Sequence, residues 1–144
     1  MLPLVNVKTT DGKTIKTEKF RNNGKLVFLC FWATWCGPCK KELNALSEVY
    51  DDWIKETGVK IIAVSIDDSR SSSKVPSIVS GNGWEFEIYL DENSDLKRAM
   101  NVNMPPHAFI LNDKGEILWE HVGFKEGDED QYLQAIKRFS SAGR

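Results

Sequence analysis

The sequence predicts an α/β fold, a three-layer sandwich in which helices cover both faces of a sheet. Three observations lead there. "LVFLCFW" and "VKIIAVSI" are apolar almost without a break, as strands buried on both faces are. Between them, apolar residues recur at helical spacing. Nearer the end, "HAFILN" and "EILWEHVG" flank the turn residues "DKG", the pattern of a hairpin.

The elements follow in order. "LVNVK" and "KTIKT" flank Thr10-Asp11-Gly12, a hairpin signal. After "RNNGK", Leu26 to Trp32 reads as the first buried strand. From Gly37 a helix is expected, with Leu43, Leu46, Val49, Tyr50 and Trp53 on its inner side. Glu42, Glu48, Asp52 and Lys55 fall on the other side, and Gly58 ends it. Val59 to Ile66 is the second strand, so a parallel pairing with a right-handed crossover is expected. "DDSRSSSK" is a loop or helix entrance, and "VPSIVSGNGW" is a short helix closed by Gly-Asn-Gly. "EFEIYLD" is a strand, and "SDLKRAMNV" is a helix of one or two turns with Ser94 available as N-cap. After the hairpin, "EDQYLQAIKRF" closes the chain as a helix with Tyr132, Leu133, Ile136 and Phe139 inward. With no repeat and no low-complexity stretch, a single domain over residues 1–144 is expected, since this length supplies one substantial core.

Composition removes several functional classes. Lys plus Arg number 19 against 21 for Asp plus Glu, a formal net charge of -2, so no basic face is offered to nucleic acid. No apolar run approaches the ~20 residues that span a bilayer. "MLPLVNVKTTDGK" also lacks the pattern of a signal peptide. The chain is therefore expected to be soluble, either as it stands or as the mature part of a longer precursor. Three cysteines allow at most one internal bridge, which does not describe a stapled secreted scaffold.

Cys36 and Cys39 lie within "FWATWCGPCKKE". A structural zinc site needs about four ligands, but Cys30, His107 and His121 have no paired spacing. A bridge over so small a loop restricts the unfolded chain little. Thiol exchange has a better physical basis. Residues three apart at a helix start have Cβ atoms roughly 5–6 Å apart, slightly more than the ~3.5–4.5 Å of a disulfide. A small adjustment then opens or closes the bridge. The unpaired N–H groups and helix dipole favour a Cys36 thiolate, while Cys39 is expected to be buried, so Cys36 attacks and Cys39 resolves. Gly37 lets the backbone bend beside the nucleophile, and Pro38 suits a first helical turn.

"FWATWCGPCKKE" and the distant "VNMPPHAFILNDKGEI" resemble the active-site and cis-proline segments of the thioredoxin superfamily. The N-terminal hairpin and the segment from about Asp67 to Asn101 resemble its TlpA/ResA-like branch. The resemblance implies a thioredoxin-like α/β/α sandwich with an N-terminal β-hairpin and a central helix-strand insertion. It implies a thiol-disulfide oxidoreductase, a reductase of protein disulfides through Cys36–Cys39, with no metal and no cofactor besides that redox-active disulfide. Its partners would be protein disulfide or dithiol substrates and a redox partner. It would act as a monomer outside the bacterial cytoplasm, in the periplasm or cell envelope. Substrate contact would fall to Trp35, Gly37, Pro38, Pro105, Pro106 and His107.

Three departures qualify this. Cys30 stands where the family has a buried Asp six residues before the nucleophile, and a buried thiol stays protonated at neutral pH. Glu42 is the candidate substitute, its other reading being an exposed first-turn glutamate favoured by the helix dipole. Aligning Phe109-Ile110-Leu111 with the family strand makes Pro106 the cis residue and Pro105 the residue facing substrate, without an N–H to offer. A slip of one would make Pro105 the cis residue. Cys30 itself reads as a core residue or a third redox thiol. His107 either tunes Cys36 or is a strand histidine satisfied locally, while Trp32 packs and His121 lies at the surface. Lys40 and Lys41 either favour the thiolate or are simply solvated. Two rival functions remain. A peroxiredoxin-like peroxidase is disfavoured by Ala33, where such enzymes place Thr or Ser. A non-catalytic module is disfavoured by the intact Cys-Gly-Pro-Cys beside a cis-proline, while a soft-metal-binding module would show tight Cu(I) binding on Cys36 and Cys39 without disulfide reduction.

Overall fold

The structure, a computed structural model, describes residues 1–142. In chain order the elements are β1 (Asn6–Thr9), β2 (Thr14–Lys16), β3 (Val27–Trp32), α1 (Gly37–Thr57), β4 (Lys60–Ser65), α2 (Val75–Asn82), β5 (Glu87–Leu90), α3 (Asp95–Ala99), β6 (His107–Leu111), β7 (Ile117–Val122) and α4 (Asp128–Ala142). The strands form one seven-stranded sheet in the order β2-β1-β5-β4-β3-β6-β7. β3 runs parallel to β4, and β4 parallel to β5, as crossover helices require. β6 returns antiparallel beside β3 and pairs with β7 as a hairpin.

Alternation along the central strands builds two cores. Phe28, Cys30 and Trp32 of β3 join Leu43, Leu46 and Trp53 of α1 and Tyr132 and Ile136 of α4 on one face. Val27, Leu29 and Phe31 join Leu96 and Met100, in and just after α3, on the other. All six residues of β3 are buried, which accounts for its unbroken apolar run. Each fully buried large apolar side chain contributes about 1.5–3 kcal/mol, so this strand is the thermodynamic centre of the sandwich.

Register prepares the site. Cys30 lies beside Ala63 of β4 and Ala108 of β6. These three small side chains form a lateral row on the α1 face, where larger ones would fill the space under the first turns of the helix.

Two expectations are corrected. Ser94 adopts φ +58° and makes no side-chain cap for α3. Asp91 caps it instead, its carboxylate accepting the N–H groups of Leu96 at 3.1 Å and Lys97 at 2.8 Å. Glu42 does not lie with Glu48, Asp52 and Lys55 on the outer side of α1, because it is 1% exposed. The helical stripe is wide enough at its N-terminal end to take Cys39, Glu42 and Leu43 inward together.

Candidate active site

Cys36 is the N-cap of α1, in extended conformation, and Pro38 occupies the first turn. The helix begins here because Cys36 Sγ accepts the Cys39 N–H at 3.3 Å, satisfying one of the unpaired donors of the first turn. Cys36 and Cys39 are joined as a disulfide with Cα atoms 5.3 Å apart. Cys36 keeps 7% of its surface while Cys39 has none, so a partner reaches only the first sulfur. The same N–H would hold a Cys36 thiolate after reduction.

Gly37 differs from expectation in an instructive way. It has no positive φ, and a Cβ built on it would meet nothing within 4 Å. Its contribution is open space beside Cys36 rather than a special backbone bend. Trp35, 60% exposed, stands directly before Cys36, whereas Trp32 is buried edge-on against Trp84 at 5.4 Å.

The Pro105–Pro106 peptide bond is cis. The Pro105 carbonyl oxygen lies 3.8 Å from Cys36 Sγ. In the bridged form that sulfur carries no proton, so the contact becomes a hydrogen bond only once Cys36 is a thiol. The Pro106 carbonyl is taken by the Gly123 N–H at 2.8 Å, which ties this segment to the end of β7.

Beneath the helix start lies Glu42. Its Oε2 accepts the Tyr132 hydroxyl at 2.7 Å, and its Oε1 has no hydrogen-bond partner. Burial pushes its carboxyl up to about 8, against the opposing pull of the Tyr132 hydrogen bond and with a further push from Asp128. Burial, then the nearby Glu42, pushes the Cys30 thiol well up, so Cys30 is a protonated, inaccessible neighbour.

His107 is buried, with its ring stacked on Phe109 at 4.4 Å. That ring faces away from the side of the sheet bearing Ala108 and Cys30. Its Nε2 stands 3.6 Å from Glu120, beyond hydrogen-bond reach, and burial lowers its proton affinity although Glu120 pulls the other way. His121, expected at the surface, is instead half-buried, with Nε2 3.1 Å from Asp128 Oδ2. Lys40 is half-buried and Lys41 is exposed.

Asp67 was not legible as part of this site. It is fully buried just beyond β4, and its carboxylate accepts the Thr34 N–H at 2.9 Å and the hydroxyls of Thr34, Ser65 and Ser71 at 2.6, 2.6 and 2.8 Å. Burial opposes the charge, but those hydrogen bonds outweigh it and hold the carboxyl below its ordinary value. Thr34 lies two residues before Cys36, so this anchor fixes the loop that carries Cys36. The available signal was an Asp directly after a buried strand, at the end that carries the CxxC.

Among the described residues, no group of three or more His, Cys, Asp or Glu is arranged to hold a metal ion. No helix there is long and apolar enough to cross a membrane.

The AhpC/TSA family model matches residues 1–120. The thiol-disulfide oxidoreductase ResA of Bacillus subtilis is 32% identical over 138 residues, covering 95% of this chain and 74% of ResA. The solution structure of an uncharacterized thioredoxin-like protein from Porphyromonas gingivalis superposes with a TM-score of 0.86 at 45% identity, over 99% of this chain and 94% of that one. The crystal structure of StoA from Bacillus subtilis gives 0.72 at 28% identity, over 93% and 98%. With a bridged Cys-Gly-Pro-Cys at the start of α1 beside a cis-proline, the chain belongs to the AhpC/TSA family and is a thiol-disulfide oxidoreductase similar to ResA.

Proposed function

We propose that the protein reduces disulfides of other proteins, with Cys36 as nucleophile, Cys39 as resolving thiol and Glu42 as the group that exchanges the resolving proton. The Cys36 thiolate attacks one sulfur of a partner disulfide; that bond breaks, its other sulfur leaves as thiolate and takes a proton from water. Cys39 then loses its proton to ionised Glu42 and attacks Cys36, releasing the second partner sulfur. The bridged state is the product of this step. The observation that carries the reading is Glu42 itself, one turn beyond Cys39 and buried, with an acceptor oxygen unused and a proton affinity near neutrality. A redox partner returns the pair to the dithiol.

Substrate contact falls to the exposed Trp35, the open space at Gly37, Pro38 and the Pro105 carbonyl, with Pro106 behind it. Pro105 has no N–H, so an extended partner segment gains one main-chain hydrogen bond at this point instead of two. Direction toward reduction is supported by the Gly-Pro pair between the cysteines, which predicts a potential nearer about -270 mV than about -120 mV. The resemblance to TlpA/ResA-like proteins further supports action as a monomer outside the bacterial cytoplasm, which sedimentation and labelling of intact cells with a membrane-impermeant thiol reagent would check.

The test is covalent capture. Cys39→Ser should retain partner proteins on Cys36 as mixed disulfides that dithiothreitol releases, and Cys36→Ser should retain none. Equal capture by both variants, or none by either, removes the reductase reading. Rapid peroxide consumption without any protein partner would favour a peroxidase instead.

A further inference from the structure

The carboxyl of Glu42 is governed less by α1, which carries it, than by α4, which faces it. Tyr132 is fully buried, with Phe28 at 5.1 Å, Trp119 at 5.7 Å and His121 at 5.5 Å around its ring. A ring held on three sides leaves its hydroxyl one place to go, and that place is Glu42 Oε2 at 2.7 Å. One turn earlier on α4, Asp128 accepts the Lys125 N–H at 2.8 Å and lies 3.1 Å from His121 on β7. Tyr132 and Asp128 from α4 act on Glu42 directly, Cys30 of β3 is the neighbour that feels its charge, and His121 of β7 stands behind Asp128.

We propose that Tyr132 is a positioning residue for disulfide exchange: its hydroxyl holds Glu42 Oε2 and leaves Oε1 as the free acceptor, while its ring packs on His121, the partner of Asp128. This rests on the reading of Glu42 as the proton-exchange group. The two α4 residues act in opposite senses. A hydroxyl donated to a carboxylate favours its ionised form, whereas a second carboxylate nearby disfavours it. Tyr132 thus keeps Glu42 ionisable near neutral pH, and Asp128 keeps it from ionising far below. His121 Nε2, 3.1 Å from Asp128 Oδ2, fixes where that carboxylate stands.

The test follows resolution of a mixed disulfide between Cys36 and a small aromatic thiol, by stopped flow from pH 5.5 to 9.5, in the wild type, Glu42→Gln, Tyr132→Phe, Asp128→Asn and the Tyr132→Phe/Glu42→Gln double variant. The inflection due to Glu42 should vanish in Glu42→Gln. Tyr132→Phe should move it to higher pH and slow resolution at pH 7 by roughly tenfold, the size of a hydrogen bond to a charged group. Asp128→Asn should move it to lower pH. In the Glu42→Gln background, Tyr132→Phe should have no further effect on the profile. Carbon NMR of the labelled Glu42 carboxyl in the bridged protein should show the same shifts and does not depend on turnover. If Glu42→Gln keeps the inflection, the proton-exchange reading falls and this proposal with it. If the inflection is lost there but unmoved in Tyr132→Phe, or if Tyr132→Phe slows the double variant equally, Tyr132 is only a packing residue and the proposal alone fails.

Discussion

Between pH 5 and pH 9, the bridged protein should lose about 4 kcal/mol of folding stability that the Glu42→Gln variant retains. Glu42 carries an ordinary value of 4.5 in the unfolded chain and about 8 when folded. A raised carboxyl binds its proton in the native state over a range where the unfolded chain has already released it. Stability therefore falls with rising pH across that window, by about 1.4 kcal/mol per unit, and levels off once the folded carboxyl has ionised. Below the unfolded value, both states hold the proton and nothing is lost. Gln has the shape of the protonated acid and can accept the Tyr132 hydroxyl, so the variant keeps the packing and discards the titration. Urea unfolding without reductant at pH 5, 7 and 9 measures the difference directly, because the Cys36–Cys39 bridge persists in both states. Cys30, whose thiol is raised by burial and then by Glu42, adds a loss at the alkaline end to both proteins, the smaller one in Glu42→Gln, so pH 5 to 8 is the window that isolates Glu42. Parallel stability profiles would show that Glu42 is not a buried, proton-retaining acid. The size of the effect also decides between the two readings of this residue. A solvated first-turn glutamate would contribute a few tenths of a kcal/mol of the opposite sign, and a cost of several kcal/mol is a large share of a domain's 5–15.

The strand-helix-strand unit from Val27 to Ser65 is legible in the sequence because its signals are local and strong: unbroken apolar runs, an amphipathic stripe and a closing glycine. Gly58 takes φ +72° and returns its N–H to Ile54, as a helix-ending glycine does. The docking of the N-terminal hairpin is not legible, since β1 meets β5 through only two paired residues more than seventy positions away. Ser94 fails as a cap for a related reason, in that Asp91 reaches the same donors from outside the turn. At the site, the cysteine pair can be read because its spacing carries its chemistry, whereas the cis-proline is legible only through the resemblance of "VNMPPHAFILNDKGEI" to the family segment, which leaves Pro105 and Pro106 both open. The orientation of Glu42 cannot be read, because one charged residue near a helix start fits either face. Its inward position depends on the small row Cys30, Ala63 and Ala108 and on a hydroxyl from Tyr132, ninety residues away. Asp67 escapes for the same reason: its donors come from Thr34, Ser65 and Ser71, and only the fold brings them together.

Asp67→Ala should lower stability by about 3 kcal/mol and slow attack by Cys36, with Asp67→Asn intermediate in both. Removing the carboxylate leaves the Thr34 N–H and three hydroxyls without their acceptor, all close to or within the interior. Unpaired buried donors cost about 1–3 kcal/mol each, but hydroxyls can turn toward one another or toward entering water, so the total falls well short of the sum. In a domain of this size, the loss corresponds to a drop of roughly 10 °C in Tm. Asn keeps one acceptor oxygen and turns an N–H₂ toward donors, which explains its intermediate rank. The pH dependence runs opposite to that of Glu42. Asp67 is held below its ordinary 3.8, so its contribution is present above that value and is lost as pH falls through the folded value. Wild-type protein should therefore show an acid-side loss of stability that Asp67→Ala lacks, alongside the alkaline-side loss that Glu42→Gln lacks. The kinetic effect separates a site role from a purely structural one. Thr34 is fixed by two of these hydrogen bonds and lies two residues from the nucleophile, so loosening it misaligns Cys36 with the α1 amides and the Pro105 carbonyl. Attack on a small disulfide, measured well below the variant's Tm, should be slowed by about tenfold. An unchanged rate in a destabilised but folded variant would confine Asp67 to holding the fold together.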